Sequence, residues 1–138
     1  DYGMTPDEVG YPWAVKFDKG DFVGKAALLK RWNRTGMQIF RVGFTAGKGV
    51  RPIRAGDGVI DNQGQCAGWV TSCAAAGDTQ IALVYAQQKA LLEGGQAGLY
   101  YTARNARHVE QGKLDKVALE QRVEPDIQGI VMSRFARF

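Results

Sequence analysis

Side chains able to break bonds are sparse in this 138-residue chain, and none has a partner at a useful spacing. His108 is the only histidine. It lies in a polar stretch with no Ser or Cys partner, so a surface histidine is the simpler reading than a general base. Ser72-Cys73 closes the run G-W-V-T-S-C, which lacks the glycine flanking of a nucleophile elbow and has no base nearby. A β-strand with one turned-in thiol accounts for it better. Cys66 and Cys73, if both lie on one strand, fall on opposite faces and cannot pair. Two cysteines and one histidine do not make a zinc site, and free thiols in a reducing cytoplasm are expected. Asp18 and Asp21 are explained by a turn and a helix start. Gly43, Gly47 and Gly49 precede strand and turn, without the Lys-Ser/Thr of a phosphate loop. The chain is therefore expected to hold no catalytic residue and no metal ligand of its own.

Trp13 is the exception among these side chains. It sits with Tyr11 and Phe17 between a helix stop and a charged turn, in a segment too short to build a core. An aromatic face stacks a flat heterocycle with about 1–3 kcal/mol, by analogy with base stacking. The residues alone leave two readings open, core packing and a ligand-facing ring. Trp13 belongs to the tract from Thr5 to Leu29, TPDEVGYPWAVKFDKGDFVGKAALL, which reads as one edge of a binding pocket without reactive groups.

The elements that must position this tract follow from local pattern. Thr5-Pro6-Asp7-Glu8 is a helix start, with Thr5 as cap, Pro6 at the first position and Glu8 reaching back to close a capping box. Gly10 and Pro12 stop it. Trp13 to Phe17 alternates and reads as extended, Lys19-Gly20 as a turn, and Val23 to Trp32 as a helix with Ala26, Leu29 and Trp32 on one face. From Gly36 the pattern is β: Met37–Thr45, Gly58–Asp61, a turn at Asn62-Gln63-Gly64, Cys66–Ser72, Thr79–Tyr85, Gly98–Ala103 and Ile127–Ser133. Gln88–Leu92 reads as a helical turn, and 105–120 as either a long hairpin or a short helix. Short strands separated by turn signals predict a small antiparallel barrel or sandwich.

Bulk composition sets the outer limits. The length fits one domain, and 45% hydrophobic with 23% charged residues is that of a globular protein. Net charge is +4, with six basic and five acidic residues in 1–34, five and four in 35–100, and seven and five in 101–138. Charge so dispersed argues against a nucleic-acid binder. No apolar run approaches the roughly 18 residues of a membrane span, and no signal-peptide layout is present. A cytoplasmic protein is expected, and a first residue Asp1 rather than Met suggests a piece of something longer.

The Thr5–Leu29 tract resembles T-P-x-E-A-G-L-x-W-x-V-K-x-x-K-x-D-F-I-G-K-x-A-L of the glycine cleavage T-protein (aminomethyltransferase) family. Arg41-Val42-Gly43-Phe44, Arg54-Ala55-Gly56, Gly68-Trp69-Val70-Thr71-Ser72, Ile81-Ala82-Leu83 and Val131-Met132-Ser133-Arg134-Phe135 follow the family's C-terminal region in order. The resemblance implies a tetrahydrofolate-dependent one-carbon transferase of three domains, of which this chain is the last third. It implies that residues 1–35 end the central folate-binding region as a helix-strand-helix arm, and that 36–138 form an aminomethyltransferase-type C-terminal barrel. Trp13 matches the family's tryptophan beside the folate, and Arg54 the arginine of an R-x-G turn, read first as structural. The donor would be an amine or a sulfonium, since related sarcosine, dimethylglycine and dimethylsulfoniopropionate demethylases share the architecture. The acidic and Tyr residues that hold folate in the family belong to its N-terminal portion, so that portion is the implied partner and this chain alone is expected to be inactive. Pro12 before Trp13, Ala74-Ala75-Ala76-Gly77-Asp78 after Ser72-Cys73, and an end at Phe138 depart from glycine-cleavage members and favour a divergent or demethylase-like one. Asp21, where a folate-binding iron–sulfur-assembly branch carries Cys, disfavours that role. The alternative from another class is a non-catalytic barrel that binds protein or nucleic acid.

The expected fold is thus mainly β, a small antiparallel barrel preceded by a short helical segment. The expected ligand is tetrahydrofolate at Trp13, with a small one-carbon donor, no nucleic acid and no membrane.

Overall fold

In the computed structural model, which describes residues 3–134, Met37–Thr45 forms strand β1 over the span its alternation predicts. Val42 and Phe44 are buried and Phe40 packs beside them, while Ile39, Arg41 and Gly43 take the other face. Five further strands follow: β2 (Gly58–Ile60), β3 (Cys66–Ala76), β4 (Thr79–Gln87), β5 (Gln96–Tyr100) and β6 (Ile127–Met132). They close in the order β1-β4-β3-β2-β5-β6, every pair antiparallel, with β6 returning to β1. The expected small antiparallel barrel is the observed one.

The interior is filled by one inward set per strand: Val42 and Phe44, Val59, Val70, Ala82 with Val84 and Ala86, Ala97 with Leu99, and Val131. Alternating large and small side chains suit so narrow a barrel. Ile53, Leu91 and Tyr101 join this core from the connecting segments. A second cluster of Ile60, Cys66, Tyr100 and Val117 lies apart from it, with Leu114 and Val123 packed against it.

Turn chemistry matches the sequence where a side chain dictates it. Asp61 Oδ1 accepts from the Gln63 and Gln65 amides at 2.8 and 2.9 Å, and Gly64 takes φ +80°, giving the expected β2–β3 turn. Ala74–Ala76 extend β3, and Gly77 at φ +62° turns the chain into β4. β5 starts and stops earlier than its aromatic content suggests. The early start follows pairing of Gln96 and Ala97 with Ile130 and Gly129, and the early stop is electrostatic: the Tyr101 amide donates to Asp126 Oδ2 at 2.7 Å and the Thr102 amide to Asp57 Oδ1 at 3.1 Å, so both leave the ladder. Within 105–120 the short helix wins. Asn105 Oδ1 caps the His108 amide at 3.0 Å and starts helix α2, Ala106–Glu110.

Both cysteines lie on β3 with free thiols, Cys66 in the second cluster and Cys73 against the main core. Odd spacing alone does not produce that arrangement. β3 carries two register shifts, which skip Ala67 against β2 and Thr71 against β4, and each shift resets the alternation. Burial raises both thiols above their usual range, with hydrogen bonding at Cys66 opposing the rise.

Gly68 lies between these two shifts, where no side chain fits. A Cβ there would come within 2.0 Å of the Tyr85 carbonyl oxygen and 2.5 Å of the Ala86 Cα, both backbone atoms. Gly68→Ala is expected to destabilise the barrel by about 1–3 kcal/mol or more, since a backbone cannot yield as a side chain can. Urea unfolding of the two proteins measures this, and an unchanged midpoint would refute the close approach.

Candidate functional site

Residues 11–34 stand outside the barrel and contain no buried residue. Their structure corrects the helix-strand-helix expectation. The stretch after Thr5 is a single turn, closed by Val9 N–H to Thr5 O at 3.2 Å and Tyr11 N–H to Pro6 O at 2.7 Å. Trp13 to Phe17 is not a strand. Pro12 fixes φ at the first position of a 3-10 turn, Pro12–Ala14, and a second, Phe17–Lys19, follows. Only Val15 and Lys16 between them are extended, and no neighbouring strand offers them a ladder. Helix α1, Lys25–Arg31, is shorter than expected, because Gly24 at φ +87° precedes it and Asp21 accepts only from the adjacent Phe22 amide.

The arm is held together by its own aromatic side chains. Phe17 meets Trp32 edge-on at 4.9 Å and stacks with Phe22 at 6.4 Å between centroids. Lys25 Nζ donates to the Phe17 and Gly20 carbonyls at 2.7 and 2.8 Å and braces the charged turn. Trp32, just past the helix, turns to this cluster, and Leu28 is half-buried on the cleft beside it. Ala26 and Leu29, expected to share a face with Trp32, are exposed instead.

Several apolar side chains stay outward among the arm's exposed charges. Trp13 is 67% exposed, against 48% for Tyr11, 50% for Leu29 and full exposure for Val23. Trp13 meets the Tyr11 ring edge-on at 6.1 Å and has no other ring partner among the described residues. Among the described residues Trp13 does not pack into the barrel core, one of the two readings its sequence leaves open. Next to it opens a cleft of about 390 Å³ lined by Ala14, Val15, Lys16, Lys19, Asp21, Phe22 and Leu28. The cleft thus combines an apolar floor with two lysines and one aspartate, and Trp13 adjoins it in sequence without lining it.

A second polar concentration closes one end of the barrel. Asp57 is fully buried. Its Oδ1 accepts from the Thr102 amide and hydroxyl, at 3.1 and 2.9 Å. Its Oδ2 accepts from the Arg54 amide at 2.9 Å and from Arg104 Nη2 at 2.6 Å. Arg54 therefore works through its backbone, as the structural reading of the R-x-G turn holds, and its side chain is exposed. His108 is half-buried rather than on the surface. Its Nδ1 faces the Arg104 amide at 3.1 Å and Arg51 Nη2 at 3.4 Å, so that lone pair is occupied and has no nucleophile to serve. Ser72 is exposed on β3. Among the described residues no group of three or more His, Cys, Asp or Glu is arranged to hold a metal, and no helix is long and apolar enough to cross a membrane. The closing Phe135 lies outside the described residues.

Sequence reasoning singled out Trp13 but missed Asp57, Thr102 and Arg104. The signal was faint: an Asp directly after the R-A-G turn, in a loop otherwise basic.

No protein-family model matches the chain. Similar proteins nevertheless exist. An aminomethyltransferase of Halothermothrix orenii is 44% identical over 73 residues, 52% of this chain and 19% of that relative. Aminomethyltransferases of Thermoanaerobacter sp. and Thermoanaerobacter pseudethanolicus are each 51% identical over 41 residues, 30% of this chain and 11% of theirs. The chain thus matches less than a fifth of the length of these curated relatives. Over that part it is related to the aminomethyltransferases, in the T-protein-like manner its motifs imply.

The Asp57–Arg104 pair is expected to be structural. Arg104→Met keeps most of the side-chain volume and leaves the carboxylate buried without its cation, a loss of about 3–5 kcal/mol for pairs of this kind. Denaturant unfolding tests this, and a variant as stable as the parent would show the pair to be dispensable.

Proposed function

We propose that this chain is the C-terminal portion of a tetrahydrofolate-dependent aminomethyltransferase or demethylase-like protein of the cytoplasm. In this reading residues 1–35 end the central folate-binding region and 36–138 form the C-terminal barrel. The partners are the N-terminal folate-binding portion of the same protein and a small amine or sulfonium donor. The observation that carries the reading is the exposed indole of Trp13, touched among the described rings only by Tyr11, on a stretch (11–34) without a buried residue, within a chain related to aminomethyltransferases.

The residues present fit the cofactor. A folate offers a flat heterocycle for the Trp13 face and glutamate carboxylates for Lys16 and Lys19 beside the cleft. Tetrahydrofolate, when bound, supplies the nitrogens that accept the one-carbon unit. The chain's own contribution is binding and orientation: an aromatic wall limits the tilt of the ring, and the exposed faces of Tyr11, Val23 and Leu29 exclude water once covered. No side chain of the site has the partner a nucleophile or general base would need, so the reacting groups are assigned to the portion that precedes it in the family.

Tetrahydrofolate is expected to quench tryptophan fluorescence of the purified chain in a saturable way. Trp13→Ala should weaken the apparent Kd by roughly fivefold to a hundredfold, the equivalent of about 1–3 kcal/mol of stacking, while Trp32 and Trp69 still report. Quenching that survives Trp13→Ala unchanged would remove Trp13 from the site. The same preparation should show no one-carbon transfer, and measurable turnover would overturn the division of labour.

A further inference from the structure

The arm leaves the barrel and returns to it through one narrow neck, and a single carboxylate fills that neck. Glu8 is 1% exposed. Its Oε2 accepts from the Thr5 amide at 2.6 Å, the reciprocal half of the expected capping box. Its Oε1 does something a cap does not, accepting from Thr35 Oγ1 at 2.5 Å and from the Tyr85 hydroxyl at 3.1 Å. Arg31 Nη2 stands 3.7 Å from Oε2. These four groups come from both ends of the arm and from β4. The Glu8 carbonyl also accepts from the Ile39 amide at 2.8 Å on β1, and Asp7 Oδ2 accepts from the Asn33 amide at 2.9 Å. No hydrophobic residue between Tyr11 and Thr35 is buried, so apolar packing contributes little to holding the arm in place.

We propose that Glu8 is the positioning residue of the Trp13 wall: its buried carboxylate sets where the arm stands, and the arm moves as a unit when that tether is cut. The consequence for ligand rests on the tetrahydrofolate reading, whereas arm placement is tested without ligand. The arm's unity comes from the Phe17–Trp32–Phe22 contacts and the Lys25 brace, none of which involves Glu8.

The neck is also sensitive to acid. Burial alone would raise the Glu8 carboxyl, but the hydrogen bonds from Thr35, Thr5 and Tyr85 outweigh it and hold the group below the usual carboxylate range. The charged and titratable groups facing it are Arg31 from α1, Tyr85 from β4 and the adjoining Asp7. A carboxyl lowered in the folded state contributes fully above its unfolded value, about 4.3 for Glu, and that contribution is lost as pH falls through the folded value.

Hydrogen exchange of the 138-residue chain decides the matter. Glu8→Gln places an amide donor against the donors at the neck, and amides of residues 11–34 are expected to exchange at least tenfold faster while β1–β6 amides keep their protection. Tyr85→Phe keeps the carboxylate, removes one donor from the barrel side and should give the same pattern at smaller size, which covers the case of a Gln variant that does not fold. In the parent, arm exchange corrected for intrinsic rates should rise below about pH 4.3, and the Gln variant should keep only the smaller rise that protonation of Asp7, bonded to the Asn33 amide, produces. Unchanged arm exchange, or strand exchange rising in step with it, would overturn the proposal. In the fluorescence titration Glu8→Gln should weaken tetrahydrofolate at least fivefold with the barrel's unfolding midpoint unmoved. If the parent itself binds no tetrahydrofolate, the cofactor reading fails and the exchange result still stands. If Gln binds as tightly as the parent, the positioning role fails and the cofactor reading stands.

Discussion

Everything in this structure hangs on how β1 shares its two edges. One edge runs its whole length against β4, from Met37 opposite Gln87 to Thr45 opposite Thr79. The other closes the barrel on β6 over four residues only, Arg41 to Phe44. That short seam tolerates no extra atoms. A Cβ on Gly129 would strike the Gly43 carbonyl and the Phe44 ring at 2.5 Å. Gly129, opposite Phe44, therefore lets the strands meet and leaves room for Phe44, the largest of the fully buried side chains. Upstream of the seam the edge of β1 would be open, and there the Ile39 amide is taken by Glu8. Barrel closure and arm attachment are consecutive stretches of one hydrogen-bonding edge.

Two buried carboxylates then solve different problems with the same chemistry. Asp57 collects two amides, a hydroxyl and a guanidinium at the barrel's end and so ends β5. Glu8 collects an amide, two hydroxyls and a nearby guanidinium at the neck of the arm. In each case the charge is tolerable because enough donors replace the lost water, and in each case removing one donor costs more than the net worth of the bond. The difference lies in what surrounds them. Asp57 is backed by the hydrophobic core, so losing a partner is felt as stability. Glu8 holds a segment with no buried residue, so losing a partner is felt first as position.

The barrel was legible in the sequence because period-2 alternation and turn chemistry are local. β1 matches its expected span, and Asp61 to Gly64 makes the turn its residues dictate. The arm was not legible to the same degree. Alternation from Trp13 to Phe17 looks extended, yet a strand needs a neighbour, and Pro12 at the start of a segment with no neighbour yields 3-10 turns. The inward face of α1 is not readable from the helix itself, because Trp32 turns to Phe17, eight positions before the helix starts. β5 was misplaced because the carboxylates of Asp57 and Asp126 compete for its amides across 45 and 25 positions of sequence. Composition and position flag Trp13 without choosing between core and surface, and in this fold the ring stands outside the barrel core.

That outcome bears on why a chain of this kind keeps so much apolar surface uncovered. Tyr11, Trp13, Val23 and Leu29 are not scattered single exposures but lie within nineteen consecutive positions of one arm, beside a cleft. A segment selected for its own stability would turn such residues inward, as the barrel next to it does with most of its large apolar side chains. The arm instead spends its internal contacts, Phe17 with Trp32 and Phe22, on holding a shape. A shape held by few contacts and fixed at one charged neck suits a surface whose covering comes from elsewhere. In the proposed reading, pre-organisation of that surface is what the arm supplies, and the carboxylate at position 8 is where it is set.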